Sequence, residues 1–487
     1  MPSSASRMRR TLLALAAAPA LLAQDAGLAE RLFLSGERAY AIRAYPEAID
    51  TWNQLIQQAP KSPFAAQALL DLAKYQLEVA GQPDAALPLL ERIKAEHMRT
   101  PWAAEALLLR GRILASRCRG PQDLKEAQAD FNRVVDLFPD HPCVKQARLE
   151  LGDSYQRLGQ WGRALGNYLD AVRQDPADPV ALRAQLAAAE TLDHMGDTTG
   201  CLRMLQFLRD RSPESAEGQE AEWRIRVRVK QRLQKPPLRS LGPWPEGRQK
   251  WLKSPTLLAT GPGGELYLYQ DDLDQAFVLK GGQLSPAGPA ARGAKAMLAT
   301  PAGRLWLVTS KQGVVKEGTP PGAPAPTLQA PSGAALDGWG NLWLSDAKGP
   351  AIQVVPPEGP SRTIPLPGTV ALAPLPTGGV AAASDANRTL QFLDAQGQVR
   401  VTVPYGKDLP APFKYVVALA SDPLGHVAAV VDGEFEGVAL WGPDGALLRS
   451  ASFKSLGLAG KFRGIALDRQ GGLILADRSN DQLIRVD

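Results

Sequence analysis

Two different internal repeats share this chain of 487 residues, and the change between them near residue 240 limits the folds that it can adopt. Upstream, apolar residues recur at helical spacing in units of about 37 residues that end in proline. Downstream, short apolar β segments flank glycine turns in units of roughly 37–46 residues. Each repeat buries its apolar side against its neighbours. The sequence therefore predicts a multidomain protein with an all-α first part and an all-β second part.

The N-terminal segment has the features of a secretory signal peptide. Three arginines precede the apolar run Thr11–Ala23, which is too short to span a bilayer and ends in small residues. We expect residues 1–23 to be removed, so that the mature chain begins at Gln24. The mature protein is then exported, either periplasmic or secreted, without a transmembrane span.

Removing this segment also changes the charge of the protein. The three arginines and the absence of acids in the segment mean that the formal net charge falls from +5 to +2. Nucleic-acid binding depends on clustered Lys and Arg that neutralise phosphates. Basic and acidic residues are sparse and balanced over residues 254–487. We therefore expect no nucleic-acid partner.

The helical repeat is clearest in Leu151–Pro176. Gly152 and Ala164 are small enough to let two antiparallel helices approach closely, and Tyr168 fills the space between them. This unit resembles the tetratricopeptide repeat (TPR) family, and five such units fit between about residue 29 and residue 213. The resemblance implies a TPR-like helical domain over residues 24–234 and a function in protein binding.

A capping helix is predicted at the end of this domain. Glu220, Arg224 and Arg228 fall at steps of four on one stripe, and Ile225 and Val229 belong to the adjacent apolar stripe. The open end of a helical repeat array needs a helix with one apolar and one solvated face. This pattern therefore favours a cap rather than a basic β-strand.

The three cysteines, Cys118, Cys143 and Cys201, all lie in the helical part. Parallel stacking of repeats places Cys118 and Cys143 at opposite ends of neighbouring helices, roughly 20 Å apart and beyond disulfide reach. We expect no disulfide among them, and a role as small buried apolar residues.

Residues 235–253 are predicted to form a Pro/Gly-rich linker and a closing strand. Lys235–Gly247 contains four prolines and two glycines, which stop helix formation. A ring of β units needs its open edges closed. We expect Arg248–Ser254 to supply the missing strand to the last unit.

The β repeat is clearest in Leu336–Asp346 and Leu467–Asp477, where an apolar strand precedes and follows a glycine turn. Four further copies are centred on other glycines, and a third strand follows most of them. The last copy resembles the NHL repeat family. The resemblance implies a six-bladed β-propeller over residues 254–487. The remaining turn glycines are Gly264, Gly303, Gly379 and Gly425.

The function that this architecture predicts is an exported, noncatalytic protein-binding scaffold of the cell envelope, which uses both the TPR groove and the propeller surface for protein–protein interaction. The TPR resemblance implies that residues on the first helix of each repeat line a groove for a protein partner. The candidate groove residues are Phe33, Glu37, Tyr40, Leu149, Asp153, Gln156, Arg157, Leu186 and Glu190.

The alternative is a propeller enzyme, similar to calcium-dependent lactonases, with the helical part as a recruitment arm. The β part contains only one histidine, His426, so a multi-histidine metal site cannot form there. Asp346, Asp385 and Asp477 recur at one place in their units and could supply oxygen ligands to calcium. A role in stabilising turns explains this recurrence more simply. The sequence predicts no catalytic residue, no cofactor and no metal.

Overall fold

The computed structural model describes most of the chain in two compact units. One contains the residues up to Tyr155 together with Gly166–Ala184, and the other contains Gln156–Leu165 together with Gln185–Asp487. The predicted signal peptide and Cys118 lie outside the described residues. None of the described helices is long and apolar enough to cross a bilayer. The described residues are 27–117, 121–173, 176–246, 249–261, 263–280, 282–300, 302–311, 313–316, 328, 330–357 and 360–487.

Eleven α-helices occur in the described residues, as five consecutive pairs followed by a single helix. Prolines begin several of them, as expected at a position whose backbone N–H has no helical acceptor. The pairs and the final helix match the predicted TPR arrangement. Their bounds are 27–41 (α1), Tyr45–Gln58 (α2), Pro63–Glu78 (α3), Pro83–Glu96 (α4), Trp102–Arg117 (α5), Pro121–Leu137 (α6), Cys143–Arg157 (α7), Trp161–Val172 (α8), Pro179–His194 (α9), Thr198–Arg211 (α10) and Ala216–Arg228 (α11).

A glycine on the first helix of a pair accommodates an aromatic ring from the second helix. A Cβ atom added to Gly36 would lie 2.3 Å from the Trp52 ring, and one added to Gly152 would lie 2.3 Å from the Tyr168 ring. Both aromatic side chains are fully buried. The small residue is therefore needed because the helices pack at a distance that leaves no room for a methyl group.

Both described thiols are unpaired. Cys143 and Cys201 are free cysteines, in agreement with the expectation of no disulfide between them. Burial raises the pKa of each thiol to about 11, so both are protonated at neutral pH. They are part of the apolar packing of the helices.

Residues 240–487 form six antiparallel sheets, which are the blades of the propeller. Blade 2 has three strands in the described residues, and the other blades have four. The strands of blade 1 are Pro255–Thr260 (β2), Leu266–Gln270 (β3), Gln275–Lys280 (β4) and Gln283–Pro286 (β5), and those of blade 2 are Ala294–Ala299 (β6), Leu305–Thr309 (β7) and Gly313–Lys316 (β8). The strands of blade 3 are Pro331–Leu336 (β9), Leu342–Asp346 (β10), Ala351–Val355 (β11) and Arg362–Pro365 (β12), and those of blade 4 are Thr369–Pro374 (β13), Val380–Ser384 (β14), Thr389–Leu393 (β15) and Val399–Pro404 (β16). The strands of blade 5 are Phe413–Ser421 (β17), Val427–Gly433 (β18), Gly437–Trp441 (β19) and Leu447–Ser452 (β20), and those of blade 6 are Phe462–Leu467 (β21), Leu473–Asp477 (β22), Gln482–Val486 (β23) and Ser240–Pro243 (β1).

The first strand of each blade lies innermost, next to the first strands of the neighbouring blades. Strand β2 contacts both β6 and β21, and the remaining inner strands contact one another in chain order. The six blades therefore close into a ring around a central channel, and the predicted six-bladed propeller is confirmed. Apolar side chains from adjacent blades pack together, for example Leu268 of blade 1 with Leu483 of blade 6.

The ring is closed by a strand from the linker, but not by the predicted one. Ser240–Pro243 pairs antiparallel with β23, whereas no strand forms in the described part of Arg248–Ser254. Leu252 is instead buried between blades 6 and 1. The prolines and glycines of the linker are atypical of a β-strand, so the sequence did not indicate one there. An edge strand tolerates Pro243 because one side of its backbone has no neighbouring strand to bond.

The segment after α11 contacts the last two blades. Val229–Gln234 continues α11 as a π-helical turn, and Lys235 ends it in a left-handed conformation. The buried Gln231 amide donates to the Gly471 carbonyl oxygen (2.7 Å) and accepts from Arg449 of blade 5 (3.3 Å). The capping helix is thereby attached to the propeller within the second unit.

Candidate functional site

The apolar groove candidates of the first unit belong largely to the repeat core. Phe33 and Leu149 are both 5% exposed. The Phe33 ring packs against Phe64, with ring centroids 5.7 Å apart. Tyr40 is half-buried, and its ring lies 5.6 Å from that of Trp52. These side chains support the helices more than they present an open surface.

The polar candidates of the first unit have different surroundings. Asp153 is exposed and accepts a hydrogen bond from the Tyr168 hydroxyl (2.7 Å), which satisfies the polar end of a buried ring. Glu37 is half-buried, and burial raises its pKa, opposed by the attraction of Lys74. Glu37 of α1 therefore lies close enough to Lys74 of α3 to feel its charge.

A charged strip on the first helices was missed in the sequence. Asp71 and Lys74 of α3 lie close enough to Glu37 of α1 and Glu105 of α5 to influence one another electrostatically. Lys74 forms an ion pair with Glu105 (2.9 Å). The signal was present, because Glu37, Asp71 and Glu105 are separated by 34 residues in each step, which is one repeat. The same position on successive first helices therefore carries an acid.

Asp71 is the most strongly perturbed member of this strip. Burial raises the pKa of its carboxyl group to about 7, and the negative charges of Glu37 and Glu105 add to this effect against the attraction of Lys74. Its Oδ2 atom has no hydrogen-bond partner in the described residues. Because the folded pKa lies above the unfolded value, Asp71 favours folding at low pH, and this contribution is lost as the pH rises towards about 7.

Gln156 and Arg157, at the end of α7, belong to the second unit and contact the propeller side of it. The Arg157 guanidinium donates to the Gly338 carbonyl oxygen (2.9 Å) and lies over the Trp339 ring, 5.7 Å from its centroid. Gln156 and Arg157 also line a cavity of about 280 Å³ with Trp161, whose ring stacks on His194. Arg157 is therefore engaged within its own unit.

The two candidates on α9 are also partly enclosed. Leu186 is half-buried, and Glu190 forms an ion pair with Arg224 of α11. This pair attaches the capping helix to the preceding repeat. The structure thus divides the nine candidates between two units, and their joint role in binding a partner stays a prediction.

The recurring aspartates of the blades accept hydrogen bonds from neighbouring turns and loops. Asp346 accepts from the backbone N–H groups of Ala330 (3.1 Å) and Lys348 (3.0 Å). Asp385 accepts from the Tyr405 hydroxyl (2.9 Å). These bonds link the end of a second strand to the loop that enters the inner strand of the same blade or the next. The turn-stabilising role proposed from the sequence fits this geometry.

Asp477 shows the same role with more partners. Its carboxylate is fully buried and accepts from the Ser479 hydroxyl (2.8 Å), the Asn480 amide (2.7 Å) and the Gln482 amide (3.1 Å). We expect Asp477→Ala to lower the free energy of unfolding by about 2–4 kcal/mol, because buried donors lose their common acceptor. Urea unfolding followed by tryptophan fluorescence measures this loss.

Two controls separate this structural role from calcium binding. Asp272→Ala removes an exposed acid in blade 1 and should change stability by less than about 0.5 kcal/mol. Calcium and a chelator should both leave the unfolding midpoint of the unaltered protein unchanged. A midpoint that rises with calcium and no longer does so in Asp477→Ala would contradict the structural role.

The single histidine of the propeller is also engaged in a hydrogen bond within the protein. His426 is 1% exposed, and its Nδ1 atom lies 2.7 Å from the Asp422 carboxylate, which additionally accepts from two backbone N–H groups of the same turn. In the part of the chain that the structure describes, no three His, Cys, Asp or Glu side chains are grouped so that they could hold a metal ion.

Comparisons with known proteins agree with the two kinds of repeat. The tetratricopeptide repeat family model matches residues 70–142 and 149–200. No curated protein sequence matches the chain. The chain therefore contains tetratricopeptide repeats and a six-bladed β-propeller. The resemblance of the blades to NHL repeats stays a prediction.

Solved structures are similar to portions of this chain. A streptogramin B lyase structure is 13% identical, covers 51% of this chain and 97% of its own, and has a TM-score of 0.36. A putative gluconolactonase is 17% identical, with coverages of 51% and 97% and a TM-score of 0.39. The MamA protein is 16% identical, with coverages of 39% and 94% and a TM-score of 0.33. At these identities the similarity concerns the fold alone.

Proposed function

We propose that this protein is an exported, noncatalytic scaffold of the cell envelope whose TPR helices bind a segment of a partner protein. The observation that carries the proposal is the TPR family match, since these repeats suggest a protein partner. The leader-like residues 1–23 support export. The near-neutral charge of the mature chain argues against nucleic acid as the partner.

The first helices offer the surface for such a partner. Glu37, Lys74 and Glu105 are partly exposed polar residues of α1, α3 and α5. They lie on successive repeats of one unit, so an extended polypeptide could contact them in turn. The second helices carry the large buried aromatic residues of the pairs, such as Trp52, and serve mainly to space the first helices.

Site-specific photocrosslinking in cells tests the proposal. A photoreactive amino acid at Glu37 or Glu105 should give the same crosslinked protein, whereas one at Glu47 of α2 or Glu126 of α6, both exposed, should not. The same product from all four positions would show nonspecific proximity and contradict a first-helix binding surface. Equal failure at Glu37 and Glu105 in the native host would contradict partner binding there.

Export is tested independently. The mature protein should be recovered from the periplasm or the medium with Gln24 at its N-terminus, as determined by mass spectrometry of the intact chain. A full-length protein confined to the cytosol would contradict the envelope role. It would leave binding by the repeats to be judged from the crosslinking result.

A further inference from the structure

One end of the propeller channel has an unusual ring of side chains. The second residue of five inner strands, together with Val417 within β17 of blade 5, lines a cavity of about 90 Å³ there. The neighbouring blades approach so closely that a Cβ atom on Gly464 would lie 2.6 Å from the Thr256 carbonyl oxygen. A volume of 90 Å³ is roughly that of three water molecules, enough for one small polar group. In order around the channel, the ring consists of Thr256, Lys295, Ser332, Val370, Val417 and Arg463.

The charges of this ring are of one sign. Lys295 and Arg463 lie on the blades at either side of Thr256, and no Asp or Glu is among the described residues that line the cavity. Neither cation forms an ion pair within the described residues. The nearby Asp271 accepts from the Thr256 hydroxyl (3.0 Å) and pairs with Arg478 (3.4 Å).

Two neighbouring members of the ring are apolar. Val370 and Val417 lie on blades 4 and 5, so Val417 is next to Arg463 of blade 6 and across the channel from Lys295 of blade 2. An inorganic anion would make no use of these two apolar side chains. An organic acid with a small apolar substituent would contact both the cations and the valines, because its carboxylate can face the cations while the substituent packs on the valines. Arginine suits this group since its guanidinium binds a carboxylate through two parallel hydrogen bonds.

We propose that the channel mouth binds the carboxylate group of a ligand whose remainder extends outwards from the propeller. Lys295 and Arg463 bind the carboxylate, and Val370 and Val417 contact the apolar group next to it. Two cations without an acid repel calcium and other divalent ions, so this site differs in chemistry from a metal-dependent one. The inference concerns the propeller alone and does not rest on the proposed TPR function.

Isothermal titration calorimetry with defined probes tests the site. The probes are the tripeptide Ala-Ala-Val with a free C-terminus, the same peptide with an amidated C-terminus, and isovalerate. We expect the free peptide or isovalerate to bind at low ionic strength, and the amidated peptide to bind at least tenfold more weakly, because the charge-assisted hydrogen bonds are lost. Tighter binding of the free peptide identifies a polypeptide C-terminus as the source, and equal or tighter binding of isovalerate identifies a free small acid.

Matched variants assign the binding to these residues. Lys295→Gln and Arg463→Gln should each weaken binding about tenfold, while Arg463→Lys retains part of the affinity. Arg304→Gln removes an exposed charge from the same blade as Lys295, in the turn at the far end of β6, and should leave the affinity unchanged. Circular dichroism melting curves check that the variants remain folded. Failure of both acids to bind at millimolar concentration, equal binding of the amidated peptide, or an equal loss in Arg304→Gln would overturn the proposal.

Discussion

Replacing Gly379 by alanine is expected to lower the free energy of unfolding of the propeller by about 3–5 kcal/mol. Gly379 has a φ of +80°, a conformation that costs an L-residue about 1–2 kcal/mol. The added Cβ atom would also lie 2.1 Å from the Leu393 carbonyl oxygen and 2.5 Å from the Asp394 carbonyl carbon. These are backbone atoms of the adjoining strand, fixed by the pairing of Val380 with Leu393. The clash therefore cannot be relieved by rotating a side chain.

Gly303→Ala is the matched control for this effect. Gly303 lies in the corresponding turn of blade 2, at the position equivalent to Gly378, with a φ of +72°, and nothing lies within 4 Å of its added Cβ atom. We expect the free energy of unfolding to fall by about 1–2 kcal/mol, which is the cost of the positive φ alone. The difference between the two urea midpoints, measured by near-UV circular dichroism, isolates the clash. Equal losses in the two variants would show that the turn of blade 4 moves to accommodate the methyl group.

The features that could be predicted from the sequence are those set by local rules. The glycine of each blade turn is needed because of a positive φ, and such a requirement recurs wherever the turn recurs. The pairing of Gly152 with Tyr168 likewise recurs at the same offset as that of Gly36 with Trp52, since the close helix packing requires a small residue under the ring. Repetition made both patterns visible without an alignment.

The features that could not be predicted depend on contacts between residues that are far apart in the sequence. Nothing local to Ser240–Pro243 indicates a strand, because its partner β23 follows it by some 240 residues. Helical periodicity likewise places Phe33 on a face but cannot show that Phe64 covers it. The raised pKa of Asp71 likewise arises first from burial by tertiary packing and then from Glu37 and Glu105, one repeat away on either side.

The candidate site was predictable only in outline, for the same reason. The position on the first helices was identified through Glu37, but Asp71 and Glu105 were missed although they occupy the equivalent place in the next two repeats. Glu190 is predicted as a groove residue from its place on a first helix, whereas its ion-pair partner Arg224 lies on the capping helix, whose packing the repeat pattern does not specify. Ion pairs between helices are set by tertiary packing.

The buried ion pair between Asp193 and Arg228 provides the second large effect. The two side chains are 5% and 3% exposed, and Arg228 Nε donates to Asp193 Oδ2 at 2.9 Å. We expect Asp193→Ala to lower the free energy of unfolding by about 3–5 kcal/mol, because it leaves the guanidinium buried without its counter-charge. Glu222→Ala removes a half-exposed acid that pairs with Arg226 and Arg209, and should cause a much smaller loss because such pairs are screened by solvent. Urea unfolding measures both.

A double variant shows whether the loss of stability in Asp193→Ala comes from the unpaired charge of Arg228. Asp193→Leu combined with Arg228→Met replaces the pair by apolar side chains of similar size, and such replacements are often neutral or stabilising. We therefore expect the double variant to regain most of the stability lost in Asp193→Ala. A double variant as unstable as Asp193→Ala would mean that the charges themselves, and not only their balance, are required to join α11 to α9.

The pH dependence of the Asp193→Ala effect has a definite sign. Burial acts to raise the pKa of Asp193, but the attraction of Arg228 and Arg232 outweighs it and holds the pKa below the usual value of 3.8. The contribution of the pair is therefore complete above about pH 4 and is lost only as the pH falls through the lower folded value. The stability difference between Asp193→Ala and the unaltered protein should be the same at about pH 5 and about pH 8. Asp71 titrates in this interval with the opposite sign, but it is present in both proteins, so its contribution cancels in the difference. A difference that shrinks between these two pH values would show that Asp193 is not held ionised by its arginines.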